Sequence, residues 1–136
     1  MITSGLEDYL ELIYNKLEKG EDIKAIDIAN IFNVSRPSVS EALIRLADLD
    51  LIIYEGRKGI KATPKGAIEA KRIINNHRNL YSFFTEILGV DEETANKNAC
   101  RIEHVIDKTL LERLNLFSNF CKNQNINVKF KESLND

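Results

Sequence analysis

Two short amphipathic segments meet at Asn33-Val34-Ser35-Arg36-Pro37-Ser38, and few folds tolerate that junction. Upstream, Ile26, Ile28, Ala29, Ile31 and Phe32 recur at helical spacing. Downstream, Val39, Ala42, Leu43, Leu46 and Leu49 do the same. Asn33 suits the left-handed conformation that stops a helix. Ser35 suits the cap of the next one, with Pro37 tolerated in its first turn. Two helices joined by so tight a turn predict a helix-turn-helix, whose second helix enters a DNA groove.

The next segment predicts a wing. Leu51-Ile52-Ile53-Tyr54 is a β-prone run, Glu55-Gly56-Arg57-Lys58-Gly59 is a glycine-bracketed turn, and Ile60-Lys61-Ala62-Thr63 returns as a second strand. The formal net charge of the chain is −2, so its overall balance does not announce a nucleic-acid partner. The distribution is more telling. Between Tyr54 and Arg78 the basic residues Arg57, Lys58, Lys61, Lys65, Lys71, Arg72 and Arg78 face only Glu55 and Glu69. A DNA footprint on one face has this form, and so does an ordinary solvated helix behind a charged turn.

The remainder reads as helices. Ser4-Gly5-Leu6-Glu7 has the form of a capping box, and Leu6, Leu10, Ile13, Tyr14 and Leu17 then follow helical spacing up to Gly20. Thr63-Pro64 opens a long helix running to about Leu88, with Gly89 as its stop. Asp91 caps a helix through Ile106, and Asp107 caps another from Lys108 to about Phe120. That last helix is strongly apolar through Leu110, Leu111, Leu114, Leu116, Phe117 and Phe120. The expected class is mostly α with a small β-wing. A winged helix-turn-helix occupies residues 1–72 and an all-helical unit residues 73–122, with a polar, frayed tail over 123–136. No apolar run approaches the roughly 20 residues of a membrane span. The N-terminus carries no secretory pattern, and two cysteines make no disulfide framework. The expected compartment is a reducing cytoplasm, with no membrane partner.

Three groups of side chains carry possible chemistry. Cys100, Glu103 and His104 stand at i, i+3 and i+4, within about 100° of arc on a helix. Ala99, Ile102, Val105 and Ile106 fall on the other side and are expected to bury. Thiolate, carboxylate and imidazole are all ligands for first-row metals. The same spacing also suits a polar helix face with an incidental cysteine. His77 shares an apolar face with Ile73, Ile74, Leu80, Tyr81 and Phe84, which fits a core histidine or a ligand, and its burial demands a partner either way. Asp8 and Glu11 lie one turn apart, on a solvated acidic face or on one covered by the second unit. Cys121 reads as a small apolar filler. No Ser/His/Asp set, phosphate-cradling glycine loop or Cys-x-x-Cys pair is present, so an enzyme is not expected.

Asn98-Ala99-Cys100-Arg101-Ile102-Glu103-His104-Val105 resembles the signature of the diphtheria toxin repressor family of metal-dependent regulators. Glu7-Asp8-Tyr9-Leu10-Glu11-Leu12-Ile13-Tyr14 resembles the start of its manganese transport regulator branch. Val34-Ser35-Arg36-Pro37-Ser38-Val39-Ser40 is similar to its recognition-helix entry, and Asn76-His77-Arg78 to its long-helix histidine. The matches come in the family's order and span roughly residues 4 to 120.

The resemblance implies a homodimer, each subunit joining a winged helix to a helical metal-binding and dimerisation unit. The form expected is the short, two-domain one without an SH3-like domain. It implies one metal site from Asp8, Cys100, Glu103 and His104, and a neighbouring one from Glu11, His77 and Glu103, with Glu103 bridging. The set is mixed. The manganese branch usually has a carboxylate where Cys100 stands. The iron branch has that cysteine, but a methionine at the position of Asp8 and a basic residue at that of Glu11. Two ancillary iron-branch ligands fall at Tyr81 and Asn96. Sulfur argues against magnesium or calcium, leaving Fe(II) first and Mn(II) second.

The expected function is a metal-dependent repressor of metal-homeostasis genes that reads double-stranded DNA at a palindromic operator. Ser35, Arg36, Pro37, Ser38 and Ser40 would enter the groove, and Arg57, Lys58 and Lys61 would hold phosphates. A metal-independent winged-helix regulator and a small metalloenzyme are the competing classes.

Overall fold

The structure is a computed structural model describing residues 4–135, Ser4 through its backbone only. The Ser4 side chain, expected as the first helix cap, and residues 1–3 lie outside the described residues. The elements run α1 (Ser4–Glu18), α2 (Ala25–Phe32), α3 (Arg36–Asp48), β1 (Ile52–Tyr54), β2 (Ile60–Ala62) and α4 (Pro64–Ser82). A π-helical turn (Phe83–Ile87), α5 (Glu92–Ile102), α6 (Lys108–Asn123) and α7 (Ile126–Ser133) follow. The chain divides into two compact units, 1–72 and 73–136. Among the described residues no helix is long and apolar enough to cross a membrane.

The first unit is the winged helix-turn-helix. Asn33 ends α2 at φ 54°, as its side chain allows. Ser35 then caps α3, its Oγ accepting from the Ser38 N–H at 3.2 Å. The α3 stripe Val39, Leu43 and Leu46 is fully shielded, together with Ile28 of α2 and Ile13 of α1. Burying each such side chain contributes about 1.5–3 kcal/mol. The wing is an antiparallel pair with Ile52 opposite Ala62, Ile53 opposite Lys61 and Tyr54 opposite Ile60. A 3₁₀ turn, Gly56–Lys58, joins the strands.

Thr63 fixes where α4 begins. Its Oγ1 accepts from the Gly66 N–H at 2.9 Å and donates to the Asp50 carbonyl at 2.6 Å. Lys65 donates to the Leu49 carbonyl at 3.0 Å. The helix start is thereby tied to the turn after α3. At Gly66 the two backbones nearly touch, for a Cβ there would lie 1.8 Å from the Leu51 carbonyl oxygen. On α4, Arg72 reaches the buried Glu7 of α1 at 3.0 Å and Glu69 at 2.6 Å.

The second unit departs from expectation at three places, each with a local cause. The long helix does not stay α-helical to Leu88. Thr85 donates its hydroxyl to the Tyr81 carbonyl at 2.9 Å, and the ladder shifts to Leu88 N–H bonding Phe83. Gly89 then ends it at φ 68°. Helix α5 stops at Ile102 rather than Ile106, and Val105, expected to be buried, is 76% exposed. The Asn76 side chain donates to the Glu103 carbonyl at 3.2 Å, supplying a partner that continued helix would otherwise provide. The tail is not frayed. Asn125 turns at φ 56°, and α7 packs against α6 and the π-helical turn. Leu134 and Lys131 close over Gly89, and Lys122 pairs with Glu86 at 2.6 Å. Asp107 stands at the N-cap of α6 but makes no side-chain cap bond.

Gly66→Ala is expected to lower unfolding stability by about 3 kcal/mol through the backbone clash, read as a shift of the urea midpoint. Thr94, through its N–H and its hydroxyl, holds the Asp91 carboxyl below the ordinary carboxylate value. A group depressed on folding stabilises above its unfolded value, and that stability fades as pH falls through the folded one. Asp91→Asn should therefore flatten the acid limb of stability against pH; an unchanged limb would contradict this.

Candidate metal centre and nucleic-acid interface

Helix α5 and its C-cap residue align Asn96, Cys100 and Glu103 at i, i+4 and i+7, and the His77 ring of α4 lies across that row. His77 Nδ1 is 2.9 Å from Glu103 Oε2 and 3.7 Å from Cys100 Sγ. His77 Nε2 is 3.0 Å from Asn96 Oδ1. On the other side of the carboxylate, His104 Nε2 is 3.3 Å from Glu103 Oε1. Glu103 is 2% exposed, so its carboxylate is shut from water between two imidazoles. Cys100 is exposed, and the Tyr81 ring lies nearly parallel to that of His77, at 13°. A cleft of about 620 Å³ opens on the Asn96 side, lined by His77, Arg78, Tyr81, Glu92, Glu93 and Asn96 among others.

The donor set fits a transition metal. One ligand atom each from His77, Cys100 and Glu103 lie within 4.8 Å of one another. Two donors at about 2.0–2.3 Å from one tetrahedral ion stand roughly 3.3–3.8 Å apart, so small adjustments suffice. A carboxylate oxygen and an imidazole nitrogen attract only with a proton or a cation between them. Within the second unit Glu103 is central, reached by His77, Cys100 and His104. The division expected from the resemblance set Cys100 with His104 and apart from His77. Here Cys100 Sγ lies 3.7 Å from His77 Nδ1. Asp8 and Glu11 lie on α1 of the first unit, Asp8 exposed and Glu11 half-buried.

The first unit presents the outer face of α3. Ser35, Arg36, Pro37 and Ser38 are exposed, and Ser40 is half-buried. The Ser35 hydroxyl caps the helix and pairs with Ser38 Oγ at 2.8 Å, so it is less free for a base than the sequence suggested. Opposite the buried stripe stand Pro37, Glu41, Ile44 and Arg45. Sequence reasoning omitted the last three. Arg45 bonds Glu41 at 3.1 Å, and Ile44 is 53% exposed. The signal was present, because a stripe at 39, 42, 43 and 46 forces 37, 41, 44 and 45 outward. Arg57, Lys58 and Lys61 are exposed on the wing.

Residues 1–60 match the family described as "Iron dependent repressor, N-terminal DNA binding domain". Residues 63–125 match "Iron dependent repressor, metal binding and dimerisation domain". An HTH-type transcriptional regulator of Methanocaldococcus jannaschii is 38% identical over 117 residues, 85% of this chain and 94% of its own. The HTH-type transcriptional regulator MntR of Shouchella clausii is 34% identical over 125 residues, 91% of this chain and 87% of its own. Among solved structures, the manganese regulator SloR superposes with a TM-score of 0.74 at 33% identity, over 85% of this chain and 54% of that one. The chain thus spans about half the length of that solved structure.

Proposed function

The chain belongs to the family of iron-dependent repressors, and on that premise we propose how its side chains carry out metal-controlled repression. It is a metal-dependent, DNA-binding transcriptional regulator and not an enzyme. A divalent metal is its effector, and DNA and a second copy of the chain are its partners. The observation that carries the metal-sensing part is the buried Glu103 carboxylate, with His77, His104 and Cys100 around it.

Our reading assigns Asp8, Glu11, His77, Cys100, Glu103 and His104 as the ligand set. A bound divalent cation offsets most of the negative charge that the three carboxylates carry. Asp8 and Glu11 contribute from α1, and Glu103 serves both sides of the set. A Cys100 sulfur ligand softens the site, which favours Fe(II) over Mn(II) and argues against magnesium and calcium. The cation favours one DNA-competent arrangement of the dimer over others. In a dimer that arrangement sets the spacing of the two α3 helices. Successive major grooves on one face of DNA recur about every 34 Å, so only some spacings read both halves of a palindrome. The metal tightens DNA binding only as far as it favours the competent spacing. Ser35, Arg36, Pro37, Ser38 and Ser40 enter the groove, and Arg57, Lys58 and Lys61 hold phosphates. The genes controlled are those of metal homeostasis, and the protein works in the cytoplasm.

A mobility-shift titration on a palindromic operator tests the reading, with anaerobic Fe(II), Mn(II), Zn(II) or chelator. Metal is expected to tighten binding, with Fe(II) most effective. Cys100→Ala should keep its helical content and lose about tenfold or more in metal response. Equal affinity with metal and with chelator would make the chain a metal-independent regulator. Arg57→Ala and Lys58→Ala should each reduce the slope of log affinity against log salt by about 1. An unchanged slope would take the wing off the phosphates.

A further inference from the structure

We propose that Asn96 is a positioning residue for the metal centre: its side-chain oxygen holds the His77 ring with the Nδ1 lone pair turned toward Cys100 and Glu103. The inference rests on the reading of His77 as a ligand and adds how that ligand is aimed.

The two nitrogens of His77 face different worlds. Nδ1 lies 2.9 Å from Glu103 Oε2 and 3.7 Å from Cys100 Sγ, so an ion shared with those side chains binds at Nδ1. A neutral imidazole that offers its lone pair at Nδ1 must carry its proton at Nε2. That proton needs an acceptor, and Asn96 Oδ1 stands there at 3.0 Å. The ring nitrogens point away from each other, so Asn96 does not reach an ion at Nδ1. It acts through the ring. Helix geometry makes the arrangement self-consistent: Asn96 and Cys100 are one turn apart on the same face of α5. One helix therefore supplies both the anchor at one end of the ring and a ligand at the other. The half-buried ring has little competing freedom, since Tyr81 lies nearly parallel to it and its side chain is 24% exposed. The cleft beside Asn96 admits water, which would accept the same proton without fixing the ring. Partners of metal-bound histidines typically change affinity by about 10–100-fold when removed.

The test uses the full chain with Zn(II), a diamagnetic probe, and four forms: wild type, Asn96→Ala, Asn96→Asp and His77→Ala. Asn96→Ala should keep its helical content, because position 96 is exposed on a helix. It should bind Zn(II) about tenfold or more weakly, with the nitrogen-15 signals of His77 no longer showing a single protonated Nε2. Asn96→Asp, which can only accept, should restore both the affinity and the signals. In the His77→Ala background, Asn96→Ala should have no further effect, which separates an action through the ring from a general loss of charge or fold. If Asn96→Ala binds as wild type does, or weakens binding equally without His77, the proposal is overturned. If His77→Ala itself leaves wild-type affinity unchanged, the ligand assignment fails instead, and the proposal with it.

Discussion

A carboxylate enclosed between two imidazoles governs the second unit. Glu103 is almost wholly shielded, with His77 at one oxygen and His104 at the other. Burying an ionised carboxylate costs several kcal/mol unless positive charge or hydrogen-bond donors answer it. The Cys100 sulfur lies close by, 3.7 Å from His77 Nδ1. The local backbone serves this carboxylate. Asn76 takes the Glu103 carbonyl, α5 ends at Ile102, and the following turn presents Glu103 and His104 from adjacent positions.

The first unit solves a different problem, which is to hold a reading helix still. Its stiffness comes from chained local bonds: Asn33 ends α2, Ser35 caps α3, and Thr63 joins the start of α4 to the turn after α3. Glu7 and Arg72 then brace α1 against α4. With the buried stripe of α3 fixed, Pro37, Glu41, Ile44 and Arg45 have no face but the outer one. The basic wing gives a mildly acidic chain a cluster suited to phosphate.

The sequence revealed most where the signal was local. Asn33, Ser35, Thr63-Pro64, Gly89 and Asp91 each name their own backbone state, and the structure places a turn or helix boundary at each. The Cys100, Glu103 and His104 spacing marked the candidate site for the same reason. Features set by distant partners stayed hidden. Nothing near Glu103 says that Asn76 will take its carbonyl and stop α5. Asn96 is an unremarkable polar residue until His77, nineteen positions earlier, lies against it. The π-helical turn depends on a Thr85 hydroxyl that periodicity does not weigh. The α7 helix has a local signal too: Ile126, Phe130 and Leu134 fall at i, i+4 and i+8 within an otherwise polar stretch.

Glu103, His77 and Cys100 are proposed to converge on one ion. X-ray absorption at the metal edge of the full chain, loaded with one equivalent of Zn(II), reads that convergence directly. One sulfur scatterer is expected at about 2.3 Å beside nitrogen and oxygen at about 2.0–2.1 Å. A shell of nitrogen and oxygen alone, identical in wild type and Cys100→Ala, would contradict it.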